Sequence, residues 1–120
     1  MESVKNVEDI IKWYKETNIL MHNVNQLPDQ ISFEKYMILQ SIYDNQVITV
    51  TGIARDTQTT NSAASRKISE LSKLGLIDKR YADSDDQRVV HLVLTDKGNM
   101  VYQEVTDFCN NQLADLIATA

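Results

Sequence analysis

Asn61, Ser62, Ser65 and Arg66 follow Thr60 within one short stretch, and Asp86 precedes Arg88 by two residues. Neither set pairs a nucleophile with a base. What both offer is hydrogen bonding and positive charge. Short hydroxyl and amide side chains let a backbone come close to a polyanion. A helix N-terminus beneath them would present free amides and the positive dipole end to phosphate. Arg66 is long enough for a guanine edge or a phosphate. Arg88, carried on a hairpin tip, can enter a narrow minor groove, where negative potential is focused, and Asp86 can hydrogen-bond it and preset its direction. The plainer readings stand beside these. The serines and threonine could be ordinary caps, Arg66 a solvated charge, and the tip an acidic turn with a surface ion pair worth little.

The elements around these residues decide between the readings. Thr49 can cap a short helix to about Thr57, and Gln58-Thr59 makes a brief turn. Thr60 or Asn61 can cap a further helix to about Leu74, which Gly75 stops in the left-handed conformation. Ala64, Ile68, Leu71 and Leu74 share one face of that helix. Ser62, Ser65, Arg66, Ser69 and Lys73 share the other. Two helices joined by a short turn, the second with an apolar back and a hydroxyl-and-cation front, form a helix-turn-helix pattern. Residues 76–81 read as a strand, 82–87 as a tip and 88–94 as the returning strand. Val90, Leu92 and Leu94 face one side of it; Val89, His91 and Val93 face the other, with His91 on the non-core side. A hairpin directly after such a helix is a wing, and the wing weighs against the plainer readings.

The rest of the chain is helical. Three glycines and one proline in 120 residues leave few sharp turns. Residues 4–26 carry two apolar stripes, Val4, Val7, Ile11, Tyr14 and Met21, and Ile10, Trp13, Leu20, Val24 and Leu27, before Pro28 breaks the helix. A second helix runs from Ser32 to about Asp44, with Tyr36, Ile38, Leu39, Ile42 and Tyr43 as its apolar members and Asp44-Asn45 as a turn. Val47-Ile48 is long enough only for a strand stub. Thr95 can cap a last helix to about Ile117, with Val101, Val105, Phe108, Cys109, Leu113, Leu116 and Ile117 on its apolar face. The first and last helices hold more apolar surface than a small domain covers alone, so a partner chain is expected.

Composition narrows the function classes. The chain is 42% hydrophobic and 24% charged, as in an ordinary globular protein. It has no apolar run of membrane-spanning length and no visible secretory signal, so a cytoplasmic protein without a membrane partner is expected. The net charge of −5 is unevenly spread: residues 55–88 hold seven basic and six acidic residues, so a neutral-to-basic face is available there. One cysteine, Cys109, and two histidines, His22 and His91, give no disulfide framework and no zinc pattern. Cys109 is best read as an inert buried thiol, and His22 as a surface or interface histidine. Asp83-Ser84-Asp85-Asp86 starts like a calcium loop but lacks Gly and Glu at the sixth and twelfth positions. No phosphate-binding glycine loop, metalloprotease motif or nucleophile elbow is present, so no enzyme, cofactor or metal is expected.

From Ile31 to about Gly98 the sequence resembles the MarR family of winged-helix transcriptional regulators. "ISFEKYMILQSI" is similar to the family's second helix. "ITVTGIARDTQTTNSAASRKISELSKLGLIDKR" is similar to its helix-turn-helix. "DQRVVHLVLTDKG" fits the family's Asp-x-Arg, a five-residue strand, then Leu-Thr-x-x-Gly. The resemblance implies that Arg88 reaches the minor groove and that Asp86 holds it. It implies a homodimer built by the first and last helices, and a palindromic operator in double-stranded DNA with one recognition helix per half-site. It also raises a small-molecule effector: Trp13, Tyr14, Tyr36 and Tyr43 could line a pocket between the first two helices, though core and dimer packing account for them equally. The chain departs from the family in two respects. Gln87 stands where a second basic residue is frequent, and after the fifth helix almost nothing remains for a sixth. The brevity and "SFEKYMIL" are also similar to the small staphylococcal accessory regulator branch; the Asp-x-Arg and Leu-Thr-x-x-Gly elements favour the main family.

The expected fold is therefore mainly α with a small β wing, a winged helix-turn-helix with long terminal helices forming a dimerisation region. One MarR-like domain is expected over residues 1–120, with 1–30 and 96–120 dimerising and 31–95 binding DNA. The expected function is a homodimeric DNA-binding repressor, with Thr60, Asn61, Ser62, Ser65 and Arg66 toward the major groove, Arg88 toward the minor groove, and Asp86 orienting it. The competing class is a winged helix used as a protein-interaction module. It would show exposed apolar anchors between residues 61 and 73, where this sequence has serines and cations.

Overall fold

The computed structural model describes residues 5–24, 31–81 and 90–119. Along the chain these form α1 (Val7–Val24), α2 (Phe33–Asn45), β1 (Ile48–Thr49), α3 (Val50–Asp56), α4 (Asn61–Lys73), β2 (Ile77–Tyr81), β3 (Val90–Leu94) and α5 (Asp96–Thr119). The fold is mainly helical with one small antiparallel sheet, a winged helix. The chain divides into two compact units, Met1–Phe33 with Val105–Ala120, and Glu34–Glu104.

The second unit holds the helix-turn-helix and the sheet. Its core is made where three helices turn apolar stripes inward: Leu39 and Ile42 from α2, Ile53 from α3, Ala64 and Leu71 from α4, all without solvent exposure. Leu92 of β3 joins them, also fully buried. The strands run in the order β1-β3-β2. Ile48 pairs with Leu92, and β2 pairs with β3 from Ile77↔Leu94 to Tyr81↔Val90. β3 is the central strand, paired along both edges. Val93 is buried as well as Leu92, and His91 is half-buried, not left on a bare outer face.

Both helices of the helix-turn-helix start and stop through local chemistry. Thr49 caps α3, its side chain accepting from the Gly52 amide at 3.1 Å; Thr60 caps α4, accepting from the Ala63 amide at 3.1 Å. Each helix then ends in a Schellman turn. After α3, the Gln58 amide donates to the Arg55 carbonyl and the Thr59 amide to the Ala54 carbonyl, with Gln58 left-handed at φ 54°. After α4, the Gly75 amide donates to Ser72 and the Leu76 amide to Leu71, with Gly75 at φ 78°. Leu71 and Leu76, the apolar pair such a turn brings together, are both buried.

Two expectations on α2 and α4 are corrected. Leu74 does not complete the buried stripe: it is the C-cap of α4, at the helix end, and is 43% exposed. Asn45 is not a turn residue but the end of α2, and the bend falls on Gln46 at φ 66°. Tyr43 is also partly exposed, yet its ring stacks on Tyr102 of α5 with centroids 4.4 Å apart, and Tyr36 stacks on the same ring at 5.5 Å.

On α1 the described residues of the two stripes, Val7, Ile11 and Tyr14 in one and Ile10 and Trp13 in the other, are exposed. Val7 is 66% exposed and Tyr14 61%, and Ile10, Ile11, Trp13 and Ile19 are all close to half exposed or more. No helix among the described residues is long and apolar enough to cross a membrane.

Candidate nucleic-acid interface

The cap on Thr60 aims the first turn of α4 outward. Asn61, Ser62, Ser65, Arg66 and Lys73 are all exposed, and Ser69 between them is half-buried. Ala64, Ile68 and Leu71 occupy the opposite face and are buried. Among residues 61–73 no large apolar side chain is exposed. Thr60 is less available than its neighbours, because its oxygen is already accepting the Ala63 amide. Asn61 leans toward α3: its Nδ2 lies 3.5 Å from Thr51 Oγ1, the outer limit of a hydrogen bond. Arg66 has no hydrogen bond or ion pair among the described residues, so its guanidinium faces solvent. Asp86 and Arg88, the wing pair read from the sequence, lie outside the described residues.

Charge on this face is not uniform. Glu70 is the only carboxylate of α4. It bonds Lys35 of α2, Nζ to Oε2 at 2.8 Å. The Lys35 hydrogen bond and charge hold the Glu70 carboxyl below its usual range, and Arg66 and Lys73 add to that pull. Lys67 does not join the outward face. It is half-buried beside a hollow of about 200 Å³ lined also by Glu34, Met37 and the turn residues Thr57, Gln58 and Thr59. Neither Lys35 nor its bridge could be found from spacing, because the partners lie 35 residues apart and only the packing of α2 on α4 brings them together.

The far end of α4 is tied to the start of α5. Thr95 donates its amide to the Leu76 carbonyl at 3.1 Å and its hydroxyl to the Gly75 carbonyl at 2.6 Å. Its hydroxyl oxygen also accepts the Gly98 amide, so one side chain caps α5 and fastens the turn after α4. Lys97 Nζ donates to the Leu74 carbonyl at 3.1 Å, placing a cation at the negative end of the α4 dipole. Gly98 is buried, and a Cβ on it would overlap the Leu76 carbonyl oxygen. The Leu-Thr-x-x-Gly stretch is thus a clamp on the helix that carries Arg66. Elsewhere on α5, burial pushes the Cys109 thiol pKa up, the reverse of what a reactive thiol needs. No group of three His, Cys, Asp or Glu side chains suited to a metal is found among the described residues.

A family model, that of the MarR family, matches residues 31–90, half of the chain. The chain belongs to the MarR family. Proteins of the MarR family are DNA-binding transcription regulators rather than enzymes. The match covers α2, the helix-turn-helix and β2, so the elements that position Arg66 are those that define membership. Solved structures agree on the fold. A MepR variant from S. aureus aligns with TM-score 0.82 at 20% identity, over 98% of this chain and 85% of that one. A MarR variant from E. coli aligns with TM-score 0.81 at 17% identity, over 98% and 87%. FabT of Streptococcus pneumoniae, solved in complex with DNA, aligns with TM-score 0.76 at 20% identity, over 96% and 84%. No curated protein matches this MarR-family chain by sequence.

Proposed function

We propose that this MarR-family chain is a homodimeric, sequence-specific regulator of transcription that acts in the cytoplasm as a repressor at a palindromic operator. The observation that carries the reading is the two-sided character of α4, buried through Ala64, Ile68 and Leu71 and exposed through serines, an asparagine and cations. In this reading Asn61, Ser62, Ser65 and Arg66 meet the major groove, with Thr60 fixing the helix end beside them. Arg88 enters the minor groove and Asp86 orients it. The lack of exposed apolar anchors between residues 61 and 73 weighs against a protein-interaction module. Exposed apolar residues on α1 support a second copy as the partner. A small-molecule signal is the remaining part of the proposal. A hollow of about 390 Å³ beside Tyr43, lined by Ile42, Val93 and Leu94 and by the polar Gln46 and Asn99, is a candidate place for such a molecule.

Selection from a pool of random duplexes tests this, with enriched sequences retested across salt. An enriched inverted repeat is expected, bound more weakly as salt rises. Arg66→Ala and Arg88→Ala are each expected to weaken that binding by about tenfold. Unchanged affinity in both folded variants would overturn the assignment of the two arginines.

A further inference from the structure

An α-helix advances about 100° per residue, so Glu70 lies only about 40° around α4 from Arg66 and about 60° from Lys73. Arg66 is four residues before it and Lys73 three after, the spacings at which side chains on one helix meet. A free carboxylate there would have two cations of its own helix within reach. It would also set a negative charge at the edge of the face that meets phosphate. The fold supplies a competitor from outside the helix. Lys35 reaches Glu70 from α2 at 2.8 Å, and its side chain is only 20% exposed, so its ammonium is held in place instead of sweeping through solvent.

We propose that Lys35 is a positioning residue for DNA binding. By bonding Glu70 from the side, it leaves Arg66 and Lys73 open to phosphate and covers the one negative charge on α4. This rests on the reading of α4 as the DNA-contacting helix. It assigns a role to a residue of α2 that acts through Glu70. Removing Lys35 returns Glu70 to its two intrahelical neighbours, and cations engaged with a carboxylate are less available to a duplex.

The test is a double-mutant cycle on the full chain, read as affinity for a mixed-sequence duplex of about 30 base pairs at low salt, where phosphate contacts dominate. Lys35→Met is expected to weaken binding about threefold or more in the wild-type background, and to have no measurable effect when Glu70→Gln is already present. Lys35→Arg is expected to bind like the wild type. Circular-dichroism melts verify folding, and Lys35→Gln replaces Lys35→Met in the cycle if the apolar variant melts early. An equal loss in both backgrounds would overturn the inference, because Lys35 would then be acting on the duplex directly. Arg66→Ala, measured alongside, separates the two levels. If it weakens binding while the cycle shows no coupling, α4 remains the DNA face and only the role of Lys35 fails. If it changes nothing, the DNA reading of α4 fails and takes the role of Lys35 with it.

Discussion

Asp56 accepts two hydrogen bonds on one carboxylate oxygen, from Ser41 Oγ at 2.8 Å and from Asn45 Nδ2 at 3.2 Å. Ser41 is buried and sits on α2, so this is where the last turn of α3 is fastened to the scaffold. Asp56→Ala should cost about 1–2 kcal/mol in urea unfolding, because it leaves a buried hydroxyl without its partner. Glu70 makes a different prediction. Its carboxyl is held low by Lys35, and a carboxylate with a depressed folded-state pKa adds stability above its unfolded value that is lost as pH falls through the folded one. The bridge should therefore open only under acid conditions, below the ordinary titration of glutamate near about pH 4.3. An NMR titration of side-chain carboxyls should place Glu70 below the ordinary glutamate range, and Lys35→Met should move it upward, only part of the way because Arg66 and Lys73 still lower it.

The turns after α3 and α4 have the same hydrogen-bond pattern but different residues in the left-handed position, Gln58 in one and Gly75 in the other. Only glycine adopts that conformation without a steric cost from Cβ. Opposite effects of substitution follow. Gln58→Gly should raise stability by about 0.5–1 kcal/mol, and Gly75→Ala should lower it by about 1 kcal/mol, both read from thermal melts. No neighbouring atom lies within 4 Å of a Cβ on Gly75, so its cost is one of backbone conformation. This contrast also marks what the sequence discloses at this scale. The caps on Thr49, Thr60 and Thr95 and the stop at Gly75 were legible, because each depends on residues three or four apart. The left-handed Gln58 was read only as part of a turn, since glutamine carries no signal for that conformation. The Asp56–Ser41 and Lys35–Glu70 pairs were not legible, since neither exists until helices distant in sequence have packed. Tyr102 escaped for the same reason: its neighbours on the core side, Tyr36 and Tyr43, come from another helix.

For the whole molecule, the exposed apolar residues of α1 are the ground on which a dimer is proposed. Val7, Ile11 and Tyr14 lie at spacings of four and three, one stripe along the helix, and all three are exposed. Stripes of this kind are covered by partner chains in symmetric assemblies. Sedimentation should give about twice the chain mass of 13.7 kDa, and Ile11→Glu should shift the population toward the monomer. If both proteins sediment as monomers, the homodimer is excluded, and with it the pairing of one α4 with each half of a palindrome. The apolar stripe of α1 was readable from periodicity. Apolar stripes recur through the whole length of a helix and survive uncertainty about its ends. The burial of Val93 beside Leu92 was not readable, because what packs on the second face of a strand comes from elements distant in sequence.

The tie between Thr95 and the end of α4 also has a consequence for fluctuation. A helix end whose last carbonyls face only water frays, and amides beside it exchange with solvent through small local openings. Here the carbonyls of Leu74, Gly75 and Leu76 are engaged by Lys97 and Thr95, and the Leu71–Leu76 turn is buried. The amides of Leu76, Thr95 and Gly98 should then exchange together, at the rate of one shared opening, and not in order of distance from the helix end. In the proposed role α4 would reach DNA with its C-terminal turn already ordered, the entropy of settling that turn having been lost during folding instead of at encounter.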